Sequence, residues 1–419
     1  MNQLTRRSFL AAPALVPAAA LGRSGALAPS ERVTMGVIGG GPRGRYVLDN
    51  FLKEKDVQVV AVADCFTDRR QAAKEAVDQH YGTGDCAAYR HHEDILERKD
   101  IDAVLIATGD RWHAVLSVLA ARAGKDIYCE KPFCLTIAEG RALVETMWRY
   151  GTVWQCGSQR KSIAGYRFVV DVVRSGRIGK LHTITASFGT EYWRPNGLPV
   201  PEPEPDPEVF DYDRWLGQSP WAPYSRLRVQ HWRLNWATSA GPVADMGPHY
   251  TEFAQWARGD EMTGPVEFEG EGVFRPENGL NNIPYFVNVR ARYADGVRLL
   301  MDSGPKGVRF DGDKGWIRLG DDGAVTVEPD AVIKGMKVPE GNWKIMAPHI
   351  RDFLDCIKSR QLTVSHPEIS HRAHTIVHCA CISLRLGRKL RWNPQAERFV
   401  DDEDANNMLS RPMRAPWRI

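Results

Sequence analysis

Gly39, Gly41 and Gly44 stand as G-x-G-x-x-G in the run Gly39-Gly40-Gly41-Pro42-Arg43-Gly44. The run follows the apolar stretch Val33 to Ile38 and precedes a helical pattern through Tyr46, Val47 and Phe51. A strand that turns sharply into a helix offers a phosphate free backbone N–H groups and the positive end of the helix dipole. The first glycine permits the tight turn, the second lets a pyrophosphate approach the backbone, and the third lets helix and strand pack closely. Pro42 suits the first helical position, where its missing N–H has no partner to lose. The turn formed by Gly39, Gly41, Pro42, Arg43 and Gly44 therefore reads as a dinucleotide site.

A second apolar run, Val57 to Ala63, ends in Asp64, at the distance expected for the acid that binds the adenosine ribose hydroxyls. A carboxylate there repels a 2′-phosphate, which favours NAD; Arg69 and Arg70 just beyond keep NADP open if they turn inward. Far along the chain, Asp245, His249 and Glu252 have the spacing i, i+4 and i+7 and share one face of a helix. Phe253 and Trp256 would then face the core.

The elements that must position these groups follow from the alternation of apolar runs. Strands are expected at Ile101–Ala107, Asp126–Cys129 and Thr152–Gln155, with helices at Trp112–Arg122 and Ile137–Arg149 between them. Such alternation gives a parallel, doubly wound α/β sheet, whose ligands bind beyond the C-terminal strand ends. The loops at Gly39, Asp64, Thr108, Glu130 and Cys156 therefore matter most.

Cys129-Glu130-Lys131-Pro132, Ala107-Thr108 with His113, and Gly241-Pro242-Val243-Ala244-Asp245-Met246-Gly247-Pro248-His249 together resemble the glucose–fructose oxidoreductase / inositol dehydrogenase / MocA (Gfo/Idh/MocA) family. The resemblance covers Val33 to about Trp392. It implies an N-terminal Rossmann domain and a C-terminal α/β domain with a large open antiparallel sheet. It also implies that Lys131 sits near the nicotinamide and stabilises a developing alkoxide. His249 would be the general acid/base, and Asp245 would bind a neighbouring hydroxyl or tune His249. Thr108, His113 and Glu130 would lie on the cofactor. Two departures stand out: Gly109 replaces a common proline, and Cys156-Gly157-Ser158-Gln159-Arg160 replaces an Asn-containing motif. Gln159 and Arg160 can still donate to substrate or nicotinamide.

In the second half, a helix at Ser162–Ser175 and a strand at Lys180–Gly189 precede a proline-dense loop, Pro195 to Pro207. The stretch from Asp211 to Trp236 is crowded with Trp, Tyr, Arg and His. Aromatic faces stack on sugar rings, so Trp232 and Arg233 are candidate substrate contacts; packing of the loop explains the same residues equally well. Six strand-like runs between Val266 and Val327 make an antiparallel sheet. Helices at His349–Lys358 and Ser370–Leu386 follow, then an irregular tail, Asn393 to Ile419, packed over its own or a neighbouring subunit. The expected domains are 33–157 for the nucleotide and 158–392 for the substrate, with 393–419 as an arm.

Residues 1–28 read differently. Arg6-Arg7-Ser8-Phe9-Leu10, an Ala-rich apolar run broken by Pro13 and Pro17, and Ala26-Leu27-Ala28 have the order of a twin-arginine signal peptide, not a membrane span. A periplasmic protein is expected, exported folded and carrying its cofactor. The eight cysteines form no CxxC pair and, with the histidines, no metal-ligand constellation. Of the 419 residues 26% are charged, for a net charge of +3 without charge blocks, which argues against a nucleic-acid partner and suits a small neutral substrate. A homo-oligomer is expected.

The expected activity is oxidation or reduction of a secondary hydroxyl on a sugar, sugar derivative or cyclitol. An alternative is NAD-assisted cleavage of a glycoside through a transient keto-sugar, which would release an aglycone without net NADH. A third is a non-catalytic sugar or nucleotide sensor, against which Lys131, Asp245 and His249 argue.

Overall fold

A computed structural model of the chain describes residues 28, 31–189, 199–274, 279–339 and 345–419. The expected signal segment lies outside them, apart from Ala28.

The first domain alternates β1 (Val33–Ile38), α1 (Pro42–Phe51), β2 (Val57–Ala63), α2 (Thr67–Tyr81), β3 (Ala87–Tyr89), α3 (His92–Leu96), β4 (Ala103–Ile106), α4 (Asp110–Arg122), β5 (Asp126–Cys129), α5 (Ile137–Tyr150) and β6 (Trp154–Cys156). Every pairing is parallel, and the strand order is β3-β2-β1-β4-β5-β6. The order reverses between β1 and β4, which places the switch point beside the loop after β1. β4 and β5 are buried along their whole length because helices cover both faces of the sheet.

Gly39 has φ +104°, and a Cβ there would lie 2.5 Å from the Ala107 carbonyl oxygen. At Gly44 a Cβ would come within 1.9 Å of the Gly39 carbonyl oxygen, so α1 packs against its own turn only through glycine. These are steric demands of the turn itself, met before any ligand is considered.

The second domain contains α6 (Ala164–Arg174), β7 (Leu181–Ser187), α7 (Tyr212–Leu216), α8 (Arg226–Gln230), α9 (Gly241–Arg258), β8 (Glu267–Phe274), β9 (Pro284–Arg292), β10 (Arg298–Asp302), β11 (Gly307–Gly312), β12 (Gly315–Gly320), β13 (Val325–Glu328), α10 (Ala347–Ser359), α11 (Pro367–Leu386), β14 (Leu390–Asn393), β15 (Arg398–Phe399) and α12 (Glu403–Asn407). Among the described residues, nine strands form its sheet in the order β13-β12-β11-β7-β10-β9-β8-β14-β15. β9 alternates buried and exposed residues, as expected when one face carries the core and the other stays open. Phe253 of α9 fills that core, its ring 4.8 Å from Tyr166 and 5.2 Å from Phe310.

Four features differ from expectation. α2, β3 and α3 occupy the stretch between Asp64 and Ile101, for which no element was expected; β3 and α3 are short. The second sheet is mixed, since β7 pairs parallel with β10. α7 and α8 interrupt the stretch read as aromatic loop. The tail is ordered: β14 joins the sheet through β8, β15 and α12 follow, and Trp417 packs edge-on to Trp112 of the first domain at 5.5 Å.

Candidate active site

The glycine turn opens into a cleft of about 320 Å³ lined by Gly39, Gly41, Pro42, Arg43, Asp64 and Thr108 from the first domain. At Gly41 a Cβ would have only the tip of the Arg69 side chain near it, at 3.6 Å, so this glycine faces open space. An open backbone approach between two sterically compulsory glycines is what a pyrophosphate needs, and the residues present fit a nicotinamide dinucleotide. The expected outcome for Gly41→Val is a dinucleotide Kd raised at least about tenfold with an unchanged Tm, read by isothermal titration calorimetry and thermal melts.

Asp64 closes the strand end. Its Oδ2 accepts from the Gly40 N–H at 2.7 Å and its Oδ1 from the Phe66 N–H at 2.9 Å. Burial raises its pKa, against the opposing pull of those donors and of Arg69. Arg69 does turn inward and lines the cleft, its guanidinium 3.8 Å from the Phe66 ring centroid, whereas Arg70 is buried along α2.

The roof of the cleft comes from the second domain. Phe210 stacks on Phe66 at 3.9 Å, and the Asp211 N–H donates to the Cys65 carbonyl at 3.0 Å. Arg111 donates from Nε to the Trp215 carbonyl at 2.7 Å and lies over the Trp215 ring. Arg214, Trp215, Val229, Gln230, Trp232 and Arg233 join the lining from this side. Trp232 and Arg233 thus face the dinucleotide cleft. The crowding of aromatic and basic residues was visible in the sequence, but not that Phe210, Arg111 and Trp215 would clamp it over the first domain.

Lys131, Asp245 and His249 lie outside this lining and meet at the domain boundary. Lys131 follows β5, and its Nζ donates to the Asp245 Oδ1 and to the Asp245 carbonyl, both at 2.6 Å. His249, one turn along α9, is buried; its Nδ1 has no partner among the described residues. Burial pushes its pKa well below the ordinary value, helped by the charges of Arg160, Lys131 and Arg43. The imidazole is therefore neutral, and the same surroundings disfavour its protonated form.

Two contacts hold the loop that carries Lys131. Glu130, almost wholly buried, takes the Arg43 Nε at 2.9 Å and Nη2 at 2.8 Å, tying the loop to the glycine turn. His113 Nδ1 lies 2.7 Å from the Pro132 carbonyl, and burial lowers its pKa to about 4, so a neutral ring donates there. His113 sits beneath the loop and does not line the cleft, whereas Thr108 does. Gln159 accepts from the same Arg43 at 3.3 Å. Arg160 is buried and committed internally, to the Tyr166 hydroxyl at 2.9 Å and to the Asp321 carboxylate. Glu252 is buried beside Ser158 and Ser365, with burial raising its pKa.

Asp110, the first residue of α4, was not singled out from the sequence. It is buried, bonded to Ser239, and close enough to Arg233, Asp245 and Lys131 to feel their charges. A lone aspartate at a helix start reads as a dipole partner, so no local signal marks it. Among the described residues no group of histidines, cysteines and carboxylates could hold a metal ion, and no helix is long and apolar enough to cross a membrane.

A parallel sheet with a dinucleotide cleft at its switch point, joined to an open-sheet α/β domain that brings its own acid and imidazole to the boundary, defines a two-domain Rossmann-type protein. Residues 33–158 match the NAD-binding Rossmann fold of the Gfo/Idh/MocA oxidoreductases, and residues 166–419 match the C-terminal alpha/beta domain of that family. The chain belongs to the Gfo/Idh/MocA family. It is 29% identical over 182 residues to an inositol 2-dehydrogenase of Salmonella paratyphi B, across 43% of this chain and 47% of that protein. It is 31% identical over 160 residues to a glycosyl hydrolase family 109 protein of Solibacter usitatus, across 36% of each. The chain spans about half the length, or less, of these curated relatives. Its fold superimposes on the aldose–aldose oxidoreductase of Caulobacter crescentus solved with glycerol, at a TM-score of 0.65 and 17% identity, covering 86% of this chain and 99% of that one.

Proposed function

We propose that the chain is an NAD(P)-dependent oxidoreductase that interconverts a secondary alcohol and a ketone on a sugar or cyclitol, with the dinucleotide held tightly beneath the roof from the second domain. The observation that carries this reading is the Lys131 ammonium pinned 2.6 Å from the Asp245 carboxylate, one helical turn from a buried neutral imidazole. The dinucleotide, when bound, supplies the hydride acceptor or donor. The chain supplies the rest. Asp245 orients the substrate and steers Lys131; Lys131 donates to the hydroxyl oxygen as it becomes an alkoxide; His249 takes the hydroxyl proton and returns it in the reverse direction.

Charge balance supports a neutral substrate. Lys131 faces Asp245, Arg43 faces Glu130, Arg160 faces Asp321 and Lys161 faces Glu261, so these four cations already have carboxylate partners. The likeness of part of the chain to a glycosyl hydrolase family 109 protein supports a second reading, redox-assisted cleavage of a glycoside. The arginine pair and apolar run of residues 1–28 support export to the periplasm, which would require a retained cofactor; cell fractionation of the tagged full chain tests this.

The test of function is an assay of the purified chain with NAD against a panel of polyols and sugars. Growth of NADH absorbance with a sugar or cyclitol is the expected result. Aglycone released from aryl glycosides without net NADH would select the cleavage reading, and neither signal with any compound would overturn both.

A further inference from the structure

Asp110 stands where three parts of the proposed site meet, and the chemistry assigned to Lys131, Asp245 and His249 does not use it. It begins α4 immediately after Thr108 and Gly109, which line the dinucleotide cleft. Its Oδ2 accepts from the Ser239 hydroxyl at 2.6 Å, and both residues are buried, at 3% and 0% exposure. Ser239 lies just ahead of α9, so this one bond joins the start of α4 in the first domain to the helix that carries Asp245 and His249 in the second. The charged groups acting on Asp110 are Arg233 from the roof, Asp245 from α9, Lys131 from the loop after β5, and Arg111 on α4 itself. Two carboxylates, one from each domain, therefore share the field of one ammonium.

We propose that Asp110 is a positioning residue for the reaction: bonded through Ser239 to the segment ahead of α9, it keeps the Lys131–Asp245 pair in register across the domain boundary and supplies the negative charge that faces Arg233. This rests on the oxidoreductase reading above. A buried carboxylate in this place weakens the fold, because burial raises its pKa to about 6, with Asp245 adding to the rise and Arg233 and Ser239 opposing it. An asparagine would keep the bond to Ser239 without that burden. Carboxylates kept against stability mark working sites. As pH climbs from the ordinary carboxylate value of 3.8 toward about 6 the fold loses this stability, and the cluster gains one negative charge as pH passes about 6.

The test uses the full chain loaded with NAD, with Asp110→Asn and Ser239→Ala as variants. Asp110→Asn is expected to keep bound NAD and to melt no lower than wild type at about pH 8. Its kcat should fall about tenfold or more, and the inflection near pH 6 should vanish from the kcat profile. Ser239→Ala removes the donor to the carboxylate and should move that inflection to higher pH. Carbon-13 titration of the Asp110 carboxyl, identified by its loss in Asp110→Asn, should give a midpoint near 6 that rises in Ser239→Ala. Wild-type kcat and profile in Asp110→Asn would overturn the proposal. So would a parallel loss of Tm, bound NAD and kcat, or a carboxyl midpoint in the ordinary carboxylate range. The titration needs no turnover, so a wild-type chain inactive on every polyol would count against the oxidoreductase reading alone.

Discussion

His249→Asn is expected to lower kcat by about 10²–10⁴-fold, the range that one positioned proton-transfer group contributes, while dinucleotide affinity stays within about twofold. The separation follows from where the imidazole lies. His249 is on α9 of the second domain and is not part of the cleft lining, so removing it takes nothing from the glycine turn. Its Nδ1 has no hydrogen-bond partner among the described residues, so the substitution also breaks no bond recorded at that nitrogen. A ring held neutral by burial and nearby cations is a weak base alone. It can take a hydroxyl proton only where Lys131 is stabilising the alkoxide, so the two groups act as one unit. Lys131→Ala should therefore cost about as much as His249→Asn, and the double variant little more than either. Steady-state kinetics with cofactor titration reads both numbers. A His249→Asn chain with wild-type kcat would remove the imidazole from the reaction.

Arg43→Ala is expected to destabilise the chain by about 3 kcal/mol, because it strands a buried carboxylate. Glu130 is 3% exposed, and Arg43 is the partner that meets it through two nitrogens at 2.9 and 2.8 Å. The guanidinium is itself partly exposed, at 32% of its side chain, which holds the figure to the low end of the range for buried pairs. Adding Glu130→Gln to Arg43→Ala removes the stranded charge and should return most of the loss, as urea denaturation of the four-member cycle would show. If Arg43 instead served the dinucleotide alone, Arg43→Ala would leave the apo stability unchanged, and Glu130→Gln would rescue nothing.

That pair also shows what could and could not be read from sequence. Arg43 and Glu130 were both expected at the cofactor, one from the glycine turn and one from the family resemblance of the Glu-Lys-Pro motif. Their mutual contact spans 87 positions and has no local signature. Local features were legible wherever steric or periodic rules act within a few residues. β1 ends where Gly39 must adopt a positive φ, and the spacing of Asp245, His249 and Glu252 puts all three on one face of α9. β3 was lost because three residues among polar neighbours carry no periodicity. The roof over the cleft was lost because it depends on Phe210 finding Phe66 and on Trp215 finding Arg111, pairings of distant segments. Arg160 looked available for substrate because its commitment to Tyr166 and Asp321 is likewise non-local.

For this chemistry a nicotinamide bound along the glycine turn must reach the boundary where Lys131, Asp245 and His249 meet. Transfer of deuterium from a sugar or cyclitol, labelled at its carbinol carbons, to the nicotinamide ring of chain-bound NAD tests this most directly. Label is expected at one face of the ring in wild type and none above background in His249→Asn and Lys131→Ala, with NAD bound in all three. NAD bound as tightly as in wild type, with equal label transfer in those two variants, would place the chemistry elsewhere and contradict it.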